Sequence, residues 1–141
     1  MMCASELAIV RNASVMKWEK EKAESLARLT VASIEFCENE IGPRLEKLAL
    51  DPRGGIISVS HSLAVTWDSY NNKVLCPICA DGKKYADGTA SRKADTSVCY
   101  SQAIIEQYLN DHCLTVEWAD VTFLRYGCGS QPATKLTVSV K

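Results

Sequence analysis

The sequence predicts an α+β fold, in which an antiparallel sheet of about four to five strands carries helices on one of its faces. Three observations indicate this class: a long stretch of helical periodicity in the first third, strict alternation over 57–67, and a second helical segment followed by alternating residues. The 141 residues, of which 47% are hydrophobic, suit a single domain spanning 1–141.

The first predicted element is a long amphipathic helix over 14–41. Apolar or small residues recur there at steps of three and four: Met16, Ala23, Leu26, Ala27, Thr30, Ile34, Cys37 and Ile41. Ser14 is the candidate N-cap, and Gly42-Pro43 is expected to end the helix and to open a short second helix over 43–50.

The predicted length of this helix has a consequence for assembly. A helix over 14–41 is about 42 Å long, whereas a compact chain of this size has a radius of gyration of roughly 14 Å. The helix therefore either lies across the whole sheet, bends on a monomer, or extends to meet another copy. We expect a homo-oligomer formed through the N-terminal helix.

A hairpin and a polar loop are expected next. Alternation in the first strand, followed by a turn and a returning strand with an edge-type Pro77, predicts a hairpin over 56–79. Residues 80–95 are polar and contain Ala-Asp-Gly twice, which indicates a loop with two turns.

The C-terminal part is predicted to form a helix and a second hairpin. Asp95, Thr96 and Ser97 are capping residues for a helix over 96–111, whose apolar face includes Ile105 and Leu109. Alternating residues then predict a hairpin over 114–141, with a possible bulge at Ala119-Asp120.

The polar loop supplies a candidate anion site. Cations and hydroxyls precede a predicted helix N-terminus, where backbone N–H groups favour phosphate, and a tyrosine could stack on a base. The predicted ligand-binding residues are Lys83, Lys84, Tyr85, Arg92, Lys93, Thr96 and Ser97. The spacing matches no P-loop or dinucleotide fingerprint, and a plain solvated loop is the alternative.

The turn Cys76-Pro77-Ile78-Cys79 is a candidate zinc half-site, because two thiolates at this spacing reach one tetrahedral ion. It resembles half of a zinc-ribbon knuckle, but the chain has no second C-x-x-C. Cys113 and Cys128 are the predicted completing ligands, with Cys99 and His112 as other candidates. Alternatively, the cysteines are small buried hydrophobic residues.

His61 is the residue on which an enzymatic interpretation depends. It is in phase with the apolar face of its strand, so it is either a buried base or a hydrogen-bonded core residue. Neither histidine belongs to a recognisable nucleophile motif. We therefore expect a protein that is not an enzyme, with a small enzyme using His61 as one alternative.

Composition narrows the function classes further. The net charge of −1 argues against generic DNA binding. The chain starts without a recognisable signal peptide, it has no apolar stretch of membrane-spanning length, and its seven cysteines cannot all pair, which together predict a cytoplasmic protein without a membrane anchor. The leading hypothesis is a small, oligomeric binding or regulatory protein that recognises a macromolecular partner or a phosphorylated, nucleotide-like ligand. A zinc-stabilised protein–protein adaptor is the other alternative.

Overall fold

The N-terminal helix is longer than predicted. The computed structural model describes residues 1–140, and helix α1 runs from Ala4 to Phe36, a length of 33 residues or about 50 Å. Ser14 therefore lies inside the helix and does not cap it. The ten residues before Ser14 contain Leu7, Arg11 and several alanines, which favour helix, and Glu6 complements the positive end of the helix dipole.

Gly42-Pro43 was predicted to end the helix, but the helical path continues through it. A π-helical turn over Cys37–Ile41 follows α1 directly, and helix α2 runs on from Gly42 to Ala49. Pro43 has no N–H to donate to the preceding turn, and a wider turn accommodates that missing bond. Gly42 keeps a right-handed helical φ of −53°, so it is not the left-handed terminator that the sequence suggested.

The face of α1 that packs on the rest of the domain is not the periodic apolar face over 14–41. Its buried residues are Ser25, Leu29, Ser33 and Phe36. Met16, by contrast, is 71% exposed. It lies nine residues from Ser25, which is two and a half turns and hence the opposite side of the helix. Of the predicted face, only its end at Cys37 and Ile41, in the π-helical turn, is buried.

Two serines allow α1 to approach the rest of the domain closely. The hydroxyl of Ser33, which is fully buried, donates to the carbonyl oxygen of Leu29 at 2.6 Å. The same hydroxyl oxygen accepts the backbone N–H of Ser101 at 2.9 Å. Ser25 accepts a hydrogen bond from the amide of Asn71 at 2.8 Å. Buried polar atoms with such partners carry little desolvation penalty.

The main sheet has four antiparallel strands. They are β1 Ser58–Asp68, β2 Asn72–Cys76, β5 Leu114–Arg125 and β6 Gly129–Val140, in the order β2-β1-β6-β5. Strands β1 and β2, and β5 and β6, thus form hairpins within the predicted ranges 56–79 and 114–141, although the first ends at Cys76 and Lys141 lies outside the described residues. Pairing of β5 with β6 is continuous from Leu114 to Arg125, so the predicted bulge at Ala119-Asp120 is absent.

The predicted polar loop over 80–95 is instead a second, two-stranded sheet. Strand β3 Ile78–Lys84 pairs with β4 Ala90–Ala94. Pro77 separates β2 from β3 because it cannot donate a ladder hydrogen bond. The chain therefore forms another hairpin where its composition suggested a loop.

Helix α3 spans Gln102–Asp111 and closes the main core. Ile105 and Leu109 are buried, as their spacing predicted. They pack in one cluster with residues from α1, α2 and the main sheet, including Phe36, Leu63 and Leu136. The result is the predicted α+β architecture, with the helices on one face of the antiparallel sheet.

Candidate functional site

The β3–β4 hairpin owes its shape to the two Ala-Asp-Gly tripeptides. Asp81 accepts the backbone N–H of Lys83 at 2.9 Å and Asp87 accepts that of Thr89, also at 2.9 Å. The glycine after each aspartate has a positive φ, 80° at Gly82 and 86° at Gly88, which other residues rarely adopt. The first tripeptide produces a register shift within β3, and the second forms the hairpin turn.

A buried serine attaches this hairpin to the main sheet. Ser91 in β4 is fully buried, and its hydroxyl donates to the carboxylate of Asp81 at 2.8 Å. The backbone N–H of Tyr126, just after β5, donates to the same hydroxyl oxygen at 2.7 Å. The rings of Tyr85 and Tyr126 also lie 5.6 Å apart. These contacts therefore hold the hairpin in a fixed position at the end of β5.

The β3–β4 hairpin carries four cationic side chains. Lys83, Lys84, Arg92 and Lys93 are all exposed. Within residues 1–140 the only salt bridge joins Arg53 to Asp51, so none of the four is within ion-pair distance of a carboxylate there. Lys83 instead places its ammonium 5.6 Å from the Tyr126 ring centre, within cation–π range.

The nearby acid groups are held ionised. The pKa of Asp81 lies below its ordinary value, chiefly because its carboxylate accepts the Lys83 N–H and the Ser91 hydroxyl, and secondarily because Lys83 and Lys93 are close. Hydrogen bonds from Ser97 likewise lower the pKa of Asp95. The carboxylates thus fix turns, while the cations remain available to solvent.

Thr96 and Ser97 lie outside the β3–β4 hairpin and outside helix α3. They lie in a turn before α3, where the Ser97 N–H donates to Asp95 at 3.1 Å. They line a groove of about 400 Å³ between this turn and α1. The N-cap of α3 is Ser101, whose hydroxyl accepts the N–H of Ile104, so Thr96 and Ser97 do not cap this helix as predicted from the sequence.

The predicted four-cysteine zinc site is not assembled either. Cys113 precedes β5 and Cys128 follows it, so a 12-residue strand, roughly 40 Å long, separates them. Cys76 is instead 3.5 Å from Cys99, sulfur to sulfur, and Cys79 lies across the hairpin from Lys93. Residues 1–140 contain no group of three or more histidine, cysteine or acidic side chains placed to hold a metal ion.

Burial also lowers the reactivity of Cys99. It raises the pKa of Cys99 to about 12, and hydrogen bonding to Cys76 adds to the increase. Burial raises the pKa of Cys37 to about 12 as well. Both groups are neutral thiols at pH 7, whereas metal binding and nucleophilic attack require the thiolate.

His61 occupies a structural position on β1. Its ring meets that of Phe36 edge-on at 5.1 Å, and its Nδ1 atom is 3.4 Å from the guanidinium of Arg44. Desolvation lowers the pKa of His61, and the charge of Arg44 lowers it further, against a smaller opposing effect of Glu40. The imidazole is therefore neutral at pH 7, and its Nδ1 is placed to accept from Arg44.

This shift predicts a pH-dependent stability. The unfolded chain takes up a proton on His61 near the ordinary pKa of 6.5, whereas the folded chain does so only at lower pH, so the free energy of unfolding falls as the pH decreases below about 6.5. Denaturation by urea at pH 7.5 and 5.5 should show this loss, and the loss should be smaller in His61→Gln. His112 is unchanged in both proteins, and an equal loss in both would contradict the assignment.

Sequence reasoning missed two features of these surfaces. Ser91 fixes the hairpin through contacts with residues distant in sequence, and no local pattern indicates that role. Ile9 and Ala13, both exposed on α1, continue the three- and four-residue steps of the predicted apolar face toward the N-terminus. The predicted helix began at Ser14 and therefore did not include them.

Comparisons with protein families, with curated proteins and with solved structures return no match for this chain. Among the residues that the structure describes, no helix combines the length and the apolar character of a membrane span.

Proposed function

We propose that this protein is a non-enzymatic, self-associating binding protein, in which α1 joins copies of the chain and the β3–β4 hairpin contacts a phosphate-bearing ligand. The observation that carries the proposal is an apolar stripe on the solvent side of α1. We define the outer stripe as Ile9, Ala13, Met16, Lys20, Ala23, Ala27, Thr30 and Ile34.

The outer stripe is large and lies away from the sheet. Ile9 and Met16 are 69% and 71% exposed, and neighbouring Val31 is 57% exposed. Ala27 lies two and a half turns from Phe36, which is buried in the core, so the stripe and the packed face are on opposite sides. A row of apolar side chains of this extent is typical of a surface that another protein covers.

The N-terminal half of α1 makes few contacts with the rest of the domain that would stabilise it as a helix. The Tyr70 hydroxyl donates to Glu21 at 2.6 Å, and the ring of Trp18 is 6.2 Å from that of Tyr70. Every residue from Ala4 to Lys17 is exposed, which is about 21 Å of helix. A single amphipathic segment of that length is marginal in water, and a partner helix stabilises it.

The hairpin supports the second half of the proposal. Within residues 1–140 its four exposed cations form no ion pairs, and the ring of Tyr126, which is 50% exposed, lies beside Lys83 and near the half-buried Tyr85. Ammonium and guanidinium groups that donate to phosphate oxygens are the usual recognition chemistry for such ligands. Self-association presents two or more hairpins together, which increases a weak affinity by raising the effective concentration.

The two alternatives receive less support. A zinc-stabilised adaptor needs ligands that this fold separates, since Cys113 and Cys128 lie at opposite ends of β5. An enzyme using His61 needs a base that meets substrate, whereas the imidazole meets the Phe36 ring edge-on and faces Arg44.

Light scattering coupled to size-exclusion chromatography tests the self-association. The native chain is expected to elute as an oligomer, and Met16→Glu with Ala27→Glu is expected to elute as a monomer, because each copy then places two charges in an apolar contact. Leu7→Glu is the matched control: Leu7 is 54% exposed on the same helix but lies on the other side. A monomeric native chain at all concentrations, or an equal effect of Leu7→Glu, would contradict the proposal.

A further inference from the structure

We infer that α1 pairs with α1 of a second copy in an antiparallel coiled coil, in a register that places Ile9 of each copy against Ile34 of the other. This inference rests on the proposed function, because it assigns the geometry of the same surface. It follows from the spacing, sizes and charges along the outer stripe.

The outer stripe has the periodicity of a coiled-coil seam. Its positions are separated alternately by four and three residues from Ile9 to Ile34, which is a heptad pattern over about three and a half repeats. The seam is exposed from Ile9 to Ala27 and half-buried at Thr30 and Ile34, while the chain's own core uses the opposite side of α1. The bodies of two paired copies would consequently lie on opposite sides of the helix pair.

Side-chain sizes favour the antiparallel arrangement. In that register, Met16 faces Ala27 of the second copy, so the methionine meets a small residue. Ile9 faces Ile34, so a pair of isoleucines closes each end of the seam. A parallel arrangement places each residue opposite itself. Methionine then meets methionine, while the layers at Ala23 and Ala27 contain alanine alone and leave voids.

Lys20, the charged residue within the seam, also favours the antiparallel register. Lys20 faces Ala23 of the second copy in the antiparallel register, where its aliphatic stem covers the small side chain and its ammonium reaches water. In the parallel register, Lys20 faces the Lys20 of the second copy directly. That layer is then repulsive.

The residues that flank the seam complete the argument. Antiparallel pairing brings Lys17 beside Glu24 of the second copy and, by symmetry, Glu24 beside Lys17, whereas Val10 meets Val31. Parallel pairing instead brings Glu19 of each copy beside Glu24 of the other copy. The flanking charges are complementary only in the antiparallel register.

Charge exchange across the interface tests the register. Lys17→Glu and Glu24→Lys are each expected to weaken the dimer about tenfold at low salt, because two attractive pairs become repulsive, and the double variant should restore the native dissociation constant. Glu19→Lys is the matched control and should change little, since its antiparallel neighbour is Leu26. Sedimentation equilibrium measures the dissociation constants of the native chain and of the four variants.

Each outcome of this experiment is decisive. A dimer that Glu24→Lys and Glu19→Lys both tighten would overturn the antiparallel register while leaving self-association intact. A native chain that remains monomeric would overturn the proposed function itself. Restoration in the double variant, with no change in Glu19→Lys, supports the inference.

A second measurement uses engineered thiols in a chain whose exposed Cys3, Cys113 and Cys128 are serine. Mixing Met16→Cys and Ala27→Cys chains with oxidised glutathione should give a disulfide-linked heterodimer, as the two thiols are oxidised and glutathione is reduced. Neither variant should cross-link alone. Self-cross-linking of Met16→Cys would overturn the register.

Discussion

Replacement of Lys83, Lys84, Arg92 and Lys93 by alanine is expected to weaken binding of a phosphate-rich polymer by roughly a hundredfold, because four exposed cations at about 0.5–1 kcal/mol each supply most of the attraction. Fluorescently labelled inorganic polyphosphate is a suitable probe, since it carries phosphate without bases or a peptide. Fluorescence anisotropy at two salt concentrations measures the dissociation constant and its salt dependence, and the variant should show the smaller salt dependence.

The control for this prediction separates a local site from net charge. Replacing four exposed lysines elsewhere, namely Lys22, Lys47, Lys73 and Lys135, makes the same change in net charge, from −1 to −5. If both quadruple variants lose the same affinity, the hairpin is not a recognition surface. If only the hairpin variant loses it, the ligand contacts β3 and β4.

The hairpin variant should keep the stability of the native chain. The four side chains are exposed and none forms an ion pair within residues 1–140. Their contacts are a long hydrogen bond from Arg92 to the Ile78 carbonyl, at 3.4 Å, and the approach of Lys83 to the Tyr126 ring. The groups that hold the hairpin are Asp81, Ser91 and the backbone N–H of Tyr126. Surface substitutions away from such contacts change the free energy of unfolding by about 0.5 kcal/mol or less. Unchanged denaturation curves therefore identify a lost affinity as a loss of contacts with the ligand.

The main sheet and α3 were predictable because their burial follows simple periods. Val59 and Leu63 alternate on β1 and face the core, and Ile105 and Leu109 are four apart on α3. The β3–β4 hairpin was not predictable in this way. Its strands consist largely of alanine, aspartate, glycine, serine and cations, which have low strand propensity, and contacts of Ser91 with distant residues stabilise it.

The side of α1 that packs on the domain was not predictable either, for a different reason. Periodicity correctly identified the apolar side of α1, but the domain packs against the side that contains Ser25 and Ser33. Those hydroxyls become suitable for burial only because Leu29, Asn71 and Ser101 supply hydrogen-bond partners. Such partners depend on the tertiary fold, so a local pattern does not reveal them.

The candidate site was predictable only where its residues are neighbours in sequence. The four cations and Tyr85 lie within eleven residues of one another and remain on one hairpin. Joining them to a helix N-terminus required knowing where α3 begins, and the contact between Ser33 and Ser101 accompanies its start at Gln102. The cysteines required knowing long-range distances, which spacing does not provide.

Phe36→Ala is expected to cause the largest loss of stability of the substitutions considered. The ring is 3% exposed, lies 5.1 Å from that of His61 and 4.9 Å from that of Tyr100, and so connects α1 with β1 and with the segment before α3. Truncation of a buried phenylalanine costs about 3–5 kcal/mol, through lost burial and the remaining cavity. Domains of this size have total stabilities of about 5–15 kcal/mol, so the variant should be at or near the limit of folding at 37 °C.

The second phenylalanine of the chain provides the comparison. Phe123 is only half-buried and packs in the smaller cluster with Ala64, Val74 and Cys76, so Phe123→Ala should cost about 1–2 kcal/mol. Urea denaturation followed by far-ultraviolet circular dichroism measures both free energies. Equal losses would show that the ring of Phe36 does not hold α1 to the domain. A larger loss in Phe36→Ala, with the same oligomer mass at low temperature, would show that the buried and outer sides of α1 act separately: one stabilises the fold, and the other is free for assembly.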